Sequence, residues 1–167
     1  GTLAQMNPPI RTKDHQVVLW KRLLDGTIDV LGSDHAPHTL KEKQKSYPDS
    51  PSGLTGVQTM LPIMLDHVNN KKLTFQRLVE LLSINPCKIF NIKKRGEIKE
   101  GYYADLTIID MNLTFKITND WIASRCGWTP FNNKTVKGFP VGTIVNGKVA
   151  SWDKKIVDNK FGKPLEF

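Results

Sequence analysis

The chain has 167 residues, and its 39% hydrophobic content is enough to bury a core, which argues against a disordered protein. Its 24 Lys and Arg residues outnumber 16 Asp and Glu residues, giving a net charge of +8, but they are scattered and lack the aromatic-interleaved pattern of nucleic-acid-binding surfaces. No apolar stretch approaches the length of a membrane span, and two cysteines far apart in sequence favour reduced thiols in the cytosol.

The first predicted elements are a helix over residues 14–25 and a strand over residues 27–32. Asp14 can cap the start of the helix and Gly26 can end it. The apolar positions at helical spacing, which we expect to face inward, are Val17, Trp20, Leu23 and Leu24. The strand is apolar except for one aspartate, as in a mostly buried strand of a parallel sheet, so the two elements together form half of a βα repeat.

Residues 39–52 are polar and lack apolar periodicity, which predicts a long exposed loop. An apolar stripe over residues 54–68 predicts a helix that is kinked at Pro62. His67 lies beside this stripe, and we interpret it as a surface or packing residue rather than a ligand.

Two further helices and a β-rich tail complete the predicted elements. Residues 74–83 form an amphipathic pattern, with Phe75 among the positions expected to face inward, and Asn85 followed by proline opens another short helix. After Arg95 the pattern changes to alternation over residues 104–110, and Asn-Gly at 146–147 predicts a type I′ hairpin turn.

The sequence GSDHAPH at residues 32–38 follows the predicted strand directly. Carboxylate and neutral imidazole bind divalent metals and carry protons at neutral pH, and barrel enzymes place such groups at the carboxyl ends of parallel strands. The alternative interpretation is structural, in which Asp34 closes a turn and the histidines bond to backbone carbonyls. A second motif, NPPIR at residues 7–11, favours catalysis, because its two prolines stiffen the loop that presents Asn7.

Together the two motifs resemble those of dihydroorotases, in the amidohydrolase superfamily. The similarity continues through SGLTGVQT at residues 52–59, ADL at 104–106, SRCGWTPF at 124–131 and GTIVNG at 142–147. A complete (β/α)8 barrel needs about 250 residues. The resemblance therefore implies an α/β fold made of the C-terminal part of a TIM-like barrel, at residues 1–94, and strands of a small β-sandwich domain, at residues 95–167.

The resemblance also implies the chemistry of the parent enzyme. Dihydroorotases use one or two zinc ions to interconvert N-carbamoyl-L-aspartate and L-dihydroorotate in pyrimidine biosynthesis. Asp34 matches the family's zinc ligand and proton carrier, Asn7 and His38 match positions that bind the substrate carboxylate, and the backbone at Gly53 is expected to contact the pyrimidine ring. The family's His-x-His pair and its other zinc ligands have no match in this chain, so we expect the missing N-terminal part of the enzyme to supply them.

Three classes of function remain open. The first is a cyclic amide hydrolase, with allantoinase and dihydropyrimidinase as alternatives to dihydroorotase. The second is a non-catalytic, dihydroorotase-like partner of aspartate transcarbamoylase, which the presence of Asp34 and His38 argues against. The third is a nucleic-acid-binding module driven by positive charge, which we disfavour together with membrane association.

We further expect a cytoplasmic protein that acts on a small-molecule substrate, is inactive as this fragment alone, and self-associates through open sheet edges at residues 3–6 and 27–32.

Overall fold

The computed structural model describes residues 1–157 and 161–167. Helices occupy the first part of the described chain and an antiparallel sheet the second. The α-helices are α1 (Lys13–Leu24), α2 (Leu40–Lys43), α3 (Met60–Asn69), α4 (Phe75–Val79) and α5 (Asn85–Ile89), with a π-helix at Glu80–Ile84 and 3₁₀ helices at Thr2–Ala4 and Asn119–Trp121. The strands are β1 (Leu106–Lys116), β2 (Thr135–Val145), β3 (Lys148–Trp152) and β4 (Lys155–Ile156).

The strand predicted over residues 27–32 does not form a ladder. Instead, its backbone groups bond to helical residues: the Leu31 amide donates to the Leu81 carbonyl at 3.2 Å, and the Asn85 side chain donates to the Asp29 carbonyl at 2.8 Å. A parallel strand needs at least one neighbouring strand to pair with, and no strand of the described residues lies beside this segment. Residues 3–6 likewise form no strand, since Thr2–Ala4 is a 3₁₀ helix.

Helix α1 forms as predicted, but its predicted inward face is only partly covered. Leu23 is buried and Trp20 is half-buried, whereas Val17 is 68% exposed and Leu24 is 50% exposed. The N-cap position is Thr12, whose side chain makes no capping hydrogen bond, and Asp14 lies in the first turn. An apolar surface therefore remains uncovered along this helix.

Residues 39–52 are not a featureless loop, contrary to the sequence prediction. Thr39 and Glu42 form a capping box that starts the short helix α2, and this helix ends at the buried residue Lys43. The next helix, α3, begins only at Met60, so Pro62 lies in its first turn, where a missing amide hydrogen costs no helical bond. The kink predicted at Pro62 is therefore wrong.

The two helices predicted after residue 74 are joined into one helical run. The side chain of Thr74 accepts a hydrogen bond from the Arg77 amide and starts α4, and the π-helix connects α4 to α5. Asn85 has helical dihedral angles (φ −67°, ψ −42°), so the helical run passes through it and no separate helix opens there. Phe75, predicted to face inward, is 45% exposed.

The sheet is a four-stranded antiparallel meander in the order β1-β2-β3-β4. The predicted hairpin turn between β2 and β3 is confirmed, because Asn146 (φ 48°) and Gly147 (φ 77°) both have the positive φ angles that a type I′ turn requires. Strand β1 extends beyond the predicted alternation and pairs with β2 along most of its length, with register shifts after Ile108 and Asp110.

The sheet packs on α3. The Asn69 side chain donates to the carbonyl oxygens of Met111 and Lys137, at 3.1 and 2.8 Å, and the Asp66 carboxylate accepts from the Lys137 amide at 3.0 Å. The hydrophobic core lies beneath this contact and includes Leu65, Leu73, Leu78 and Leu81. Helix α3 thus links the helical part of the chain to the sheet.

Among the residues that the structure describes, no helix has both the length and the apolar character needed to cross a membrane.

Candidate functional site

Three loop segments that hold the sequence-predicted site residues meet at one place. The segment after Gly32 runs beside the segment at Leu54 through a single parallel bridge between His35 and Leu54, and the Ala36 amide donates to the Leu54 carbonyl at 3.0 Å. The Gly53 amide donates to the carbonyl of Gln5 at 3.0 Å. The loops that carry Asn7, His38 and Gly53 are therefore hydrogen-bonded to one another or directly adjacent.

Gly53 packs directly against the loop that carries His38. A Cβ atom at Gly53 would overlap the carbonyl oxygen of Ala36 and lie 3.1 Å from Cδ2 of His38. The φ angle of Gly53 is +140°, which side-chain-bearing residues rarely adopt. Only glycine fits at this position. The close packing brings together Gly53 and His38, the two predicted substrate-binding residues.

Trp128 holds the backbone of His38. The indole Nε1 of Trp128 donates to the His38 carbonyl at 2.7 Å, and the Trp128 carbonyl accepts from the hydroxyl of Thr55 at 3.0 Å. Trp128 is 4% exposed, and His38 is half-buried. The tryptophan therefore ties the His38 loop to the Thr55 loop from a distant part of the chain.

His35 has a structural environment. Its Nδ1 atom lies within hydrogen-bonding distance of the amides of Gly56, at 3.2 Å, and Val57, at 3.4 Å. An Nδ1 atom that accepts from backbone amides is not free to bind a metal or a substrate. These contacts indicate that His35 supports the loop backbone.

Asp34 lies exposed at the end of residues 27–34, with a φ angle of +41°. Within residues 1–157 and 161–167, its carboxylate has no hydrogen-bond or ion-pair partner. In the same part of the chain no group of three His, Cys, Asp or Glu side chains is placed to hold a metal ion. A carboxylate on an exposed loop is a suitable single ligand for zinc, but these residues do not form a zinc site by themselves.

Asn7 is also exposed, and its loop is anchored through Gln5. The Gln5 carbonyl accepts from Nζ of Lys43 at 2.9 Å as well as from the Gly53 amide, and the Gln5 side chain donates to the Ser50 carbonyl at 2.8 Å. The polar composition of residues 39–52 predicted an exposed loop and gave no sign that Lys43 is buried. The Thr39-x-x-Glu42 spacing that starts α2 was the available signal for local order at this position.

Lys43 is completely buried, and its second hydrogen bond runs from Nζ to the Pro51 carbonyl at 2.9 Å. Burial lowers the pKa of the Lys43 ammonium group, because the charged form loses its hydration. The two carbonyl oxygens partly replace that hydration.

One cavity lies away from these residues. It has a volume of about 760 Å³, is lined mainly by apolar side chains of the helical run from α4 to α5 and of β1, and includes Arg95 at one side. Asn7, Asp34, His38 and Gly53 do not line it. The candidate site is therefore defined by the convergence of loops and not by this cavity.

Comparison with known proteins identifies relatives over most of the chain. A family model described as "Amidohydrolase family" matches residues 11–150. A dihydroorotase of Carboxydothermus hydrogenoformans is 40% identical over 150 residues, covering 89% of this chain and 35% of the relative. A dihydroorotase of Methanosphaera stadtmanae is 39% identical over 163 residues, covering 96% of this chain and 37% of the relative.

Among solved structures, an L-hydantoinase (dihydropyrimidinase) from Arthrobacter aurescens superposes with a TM-score of 0.94 at 33% identity, covering 99% of this chain and 38% of that chain. The α/β fold class predicted from the sequence is confirmed by this match. The chain spans between 35% and 37% of the length of the two dihydroorotases.

Proposed function

Because the chain belongs to the amidohydrolase family, we propose that it is the C-terminal part of a dihydroorotase that interconverts N-carbamoyl-L-aspartate and L-dihydroorotate. The observation that carries the proposal is the convergence of the NPPIR, GSDHAPH and SGLTG segments through the contacts of Gln5, His38 and Gly53. In this assignment residues 1–94 belong to the barrel and residues 95–167 to the small β-rich domain.

Asp34 is the proposed proton carrier. Hydrolysis of a cyclic amide adds hydroxide to the ring carbonyl and delivers a proton to the departing ring nitrogen. A carboxylate beside the carbonyl can take the proton of the attacking water and donate it to that nitrogen. The exposed, unpartnered carboxylate of Asp34 is free to do both, which supports this role.

Asn7 and His38 are proposed to bind the carboxylate of the substrate. An amide and an imidazole both donate hydrogen bonds, and such bonds are stronger when the acceptor is charged. We propose that the Gly53 backbone contacts the edge of the ring, and the packing of Gly53 against the His38 loop supports this role. The net charge of +8 favours approach of an anionic substrate.

Zinc is the proposed metal, with Asp34 as one ligand and the other ligands supplied by the part of the enzyme that precedes this chain. When bound, zinc lowers the pKa of a water molecule and polarises the substrate carbonyl. From the described residues only Asp34 is proposed as a zinc ligand, because they contain no group of three His, Cys, Asp or Glu side chains that could hold a metal ion.

Other features of the proposal concern location and partners. We propose a cytoplasmic enzyme that acts on a small molecule and binds neither nucleic acid nor membrane. The apolar side chains exposed on α1, such as Val17 and Leu19, support packing against the remainder of the barrel or self-association. A non-catalytic partner of aspartate transcarbamoylase is disfavoured because it has no use for the free carboxylate of Asp34.

A related cyclic amidohydrolase is the second candidate, and the superposition on the L-hydantoinase favours it. The two candidates differ in the substrate, because dihydropyrimidines and hydantoins lack the ring carboxylate of dihydroorotate. Residues that bind this carboxylate would therefore separate the two functions.

The test is a substrate comparison with the full-length protein that contains this chain. Ring opening of L-dihydroorotate, dihydrouracil and hydantoin, and ring closure of N-carbamoyl-L-aspartate, are measured with and without a zinc chelator. We expect a marked preference for L-dihydroorotate and N-carbamoyl-L-aspartate, with loss of activity on chelation. Preference for hydantoin or dihydrouracil would replace this proposal with the second candidate.

A further inference from the structure

We propose that Lys43 is a positioning residue of this site, whose ammonium group fixes the Asn7 loop against the Gly53 loop. The inference rests on the proposed function, because Asn7 and Gly53 are taken there as substrate-binding residues. Lys43 itself does not contact the substrate in this account. It acts through the backbone of the two segments that do.

The geometry places both hydrogen bonds of Lys43 immediately before the two site residues. Nζ donates to the carbonyl of Gln5, two residues before Asn7, and to the carbonyl of Pro51, two residues before Gly53, each at 2.9 Å. The Gln5 carbonyl also accepts from the Gly53 amide at 3.0 Å. One ammonium group and one carbonyl oxygen thus join the two loops.

Burial makes the junction of the two loops depend on the Lys43 ammonium group. Lys43 is 0% exposed, and across the described residues no carboxylate lies within ion-pair distance of its Nζ atom. Its charge is therefore compensated by carbonyl dipoles alone, which must keep their positions for the ammonium to stay buried. A side chain without donors would remove the Nζ donor from the Pro51 carbonyl and leave the Gln5 carbonyl with the Gly53 amide as its donor.

The surrounding contacts make α2 the fixed support for both loops. The hydroxyl of Ser50 donates to the Lys43 carbonyl at 3.3 Å, and the Gln5 side chain donates to the Ser50 carbonyl at 2.8 Å. The capping box formed by Thr39 and Glu42 holds the start of the helix. Displacement of a substrate-binding loop by about 1 Å can cost about a hundredfold in rate, so a support of this kind affects function without touching the substrate.

The test compares Lys43→Met with Lys41→Met in the full-length protein. Lys41 lies in the same helix but is exposed, so its replacement removes the same charge without removing the junction. Two quantities are measured: hydrogen exchange at the Gly53 amide, and kcat and KM for L-dihydroorotate. A third variant, Lys43→Gln, retains hydrogen-bond donors without the charge and covers the case in which Lys43→Met fails to fold.

For Lys43→Met we expect Gly53 amide exchange to become at least about tenfold faster, and KM to rise about ten- to hundredfold with a smaller fall in kcat. Lys43→Gln is expected to lie between Lys43→Met and the wild type, and Lys41→Met to match the wild type. An unchanged exchange rate at Gly53 in a folded Lys43 variant would overturn the proposal. Faster exchange with an unchanged KM would also overturn it, because Lys43 would then be structural only.

Failure of the proposed function has a different signature. A wild-type protein that does not open L-dihydroorotate refutes the dihydroorotase assignment, whatever the exchange rates are. A normal Gly53 exchange rate in an active Lys43→Met protein refutes the positioning role of Lys43 and leaves the dihydroorotase assignment untouched.

Discussion

Backbone hydrogen bonds are made in different ways in the two regions of the chain, the helical part up to Ile89 and the sheet that begins at Leu106. In the sheet, consecutive antiparallel strands pair with one another, and β2 reaches β3 through a two-residue turn. In the helical part, loop segments bond to side chains from distant positions: Arg77 donates to the carbonyls of Leu23 and Ile28, and Lys43 donates to that of Gln5.

This difference follows from strand direction. Antiparallel strands can be completed by residues that are close in sequence, whereas a parallel strand needs a partner across a crossover of a dozen or more residues. Residues 27–34, which carry Asp34, have no such partner among the described residues and rely on helices and side chains instead. The candidate site therefore lies in the part of the chain that depends most on long-range contacts.

The largest expected effect comes from separating the site from the rest of the enzyme. The 167-residue chain alone is expected to bind zinc weakly and to show no measurable ring opening of L-dihydroorotate, because a catalytic zinc usually needs three protein ligands. Equilibrium dialysis with zinc and a turnover assay check this, with the full-length protein as control. Tight, stoichiometric zinc with turnover in the fragment would show that the site is self-sufficient.

A smaller effect is expected from Arg77→Met. This change removes the donors to the Leu23 and Ile28 carbonyls, and we expect a loss of about 1–3 kcal/mol in the stability of the helical part. Native-state hydrogen exchange should show faster exchange at Ile28 and Leu31, with β1 and β2 amides unchanged.

Arg22→Met is the matched control for Arg77→Met. Arg22 forms an ion pair with Asp25 while its side chain is 51% exposed, so its loss is expected to cost less than about 1 kcal/mol. Two results would contradict the proposed difference between the helical part and the sheet. One is an equal loss of stability in Arg77→Met and Arg22→Met, and the other is an equal loss of exchange protection in β1 and β2 and in the helical part.

The smallest effect concerns the capping box of α2. Hydrogen bonds from the side chain and amide of Thr39 lower the pKa of Glu42 below its ordinary value of 4.5. Because the folded-state pKa is depressed, the stabilisation is present above the unfolded-state pKa and is lost as pH falls through the folded-state pKa. Thr39→Ala should raise the pKa of Glu42 towards its ordinary value, as measured by NMR titration of the carboxylate.

Thr74→Ala is the control for Thr39→Ala. Thr74 caps α4 through the Arg77 amide without a reciprocal carboxylate, so its loss should not add a pH dependence in the acid range. An unchanged Glu42 pKa in Thr39→Ala would show that the capping box does not hold the start of α2.

Local patterns predicted the elements that depend on neighbouring residues. The spacing of apolar residues predicted α1, and Asn-Gly predicted the turn at Asn146 and Gly147. Two predictions were wrong, the strand over residues 27–32 and the inward position of Val17. Both features depend on partners that are distant in sequence. The capping box was readable from Thr39 and Glu42 but was masked by the polar composition of the segment.

The candidate site was predictable in its motifs but not in its contacts. The motifs around Asp34 and Asn7 are visible as short sequences, and the structure brings their loops together. The contacts of Lys43 with Gln5 and of Trp128 with His38 span 38 and 90 residues, and no local pattern encodes such a separation. The roles of the four site residues therefore stay predictions.

The most direct test of these roles is steady-state kinetics of Asp34→Ala and His38→Ala in the full-length protein, in both reaction directions. Loss of Asp34 removes the proposed proton carrier, so kcat should nearly vanish even with saturating substrate. Loss of His38 removes a charge-assisted hydrogen bond of roughly 1.5–3 kcal/mol, so KM should rise and kcat/KM should fall about ten- to hundredfold. Equal, kcat-only losses in the two variants would contradict the binding role of His38, and a fully active Asp34→Ala protein would refute the hydrolase assignment of this loop.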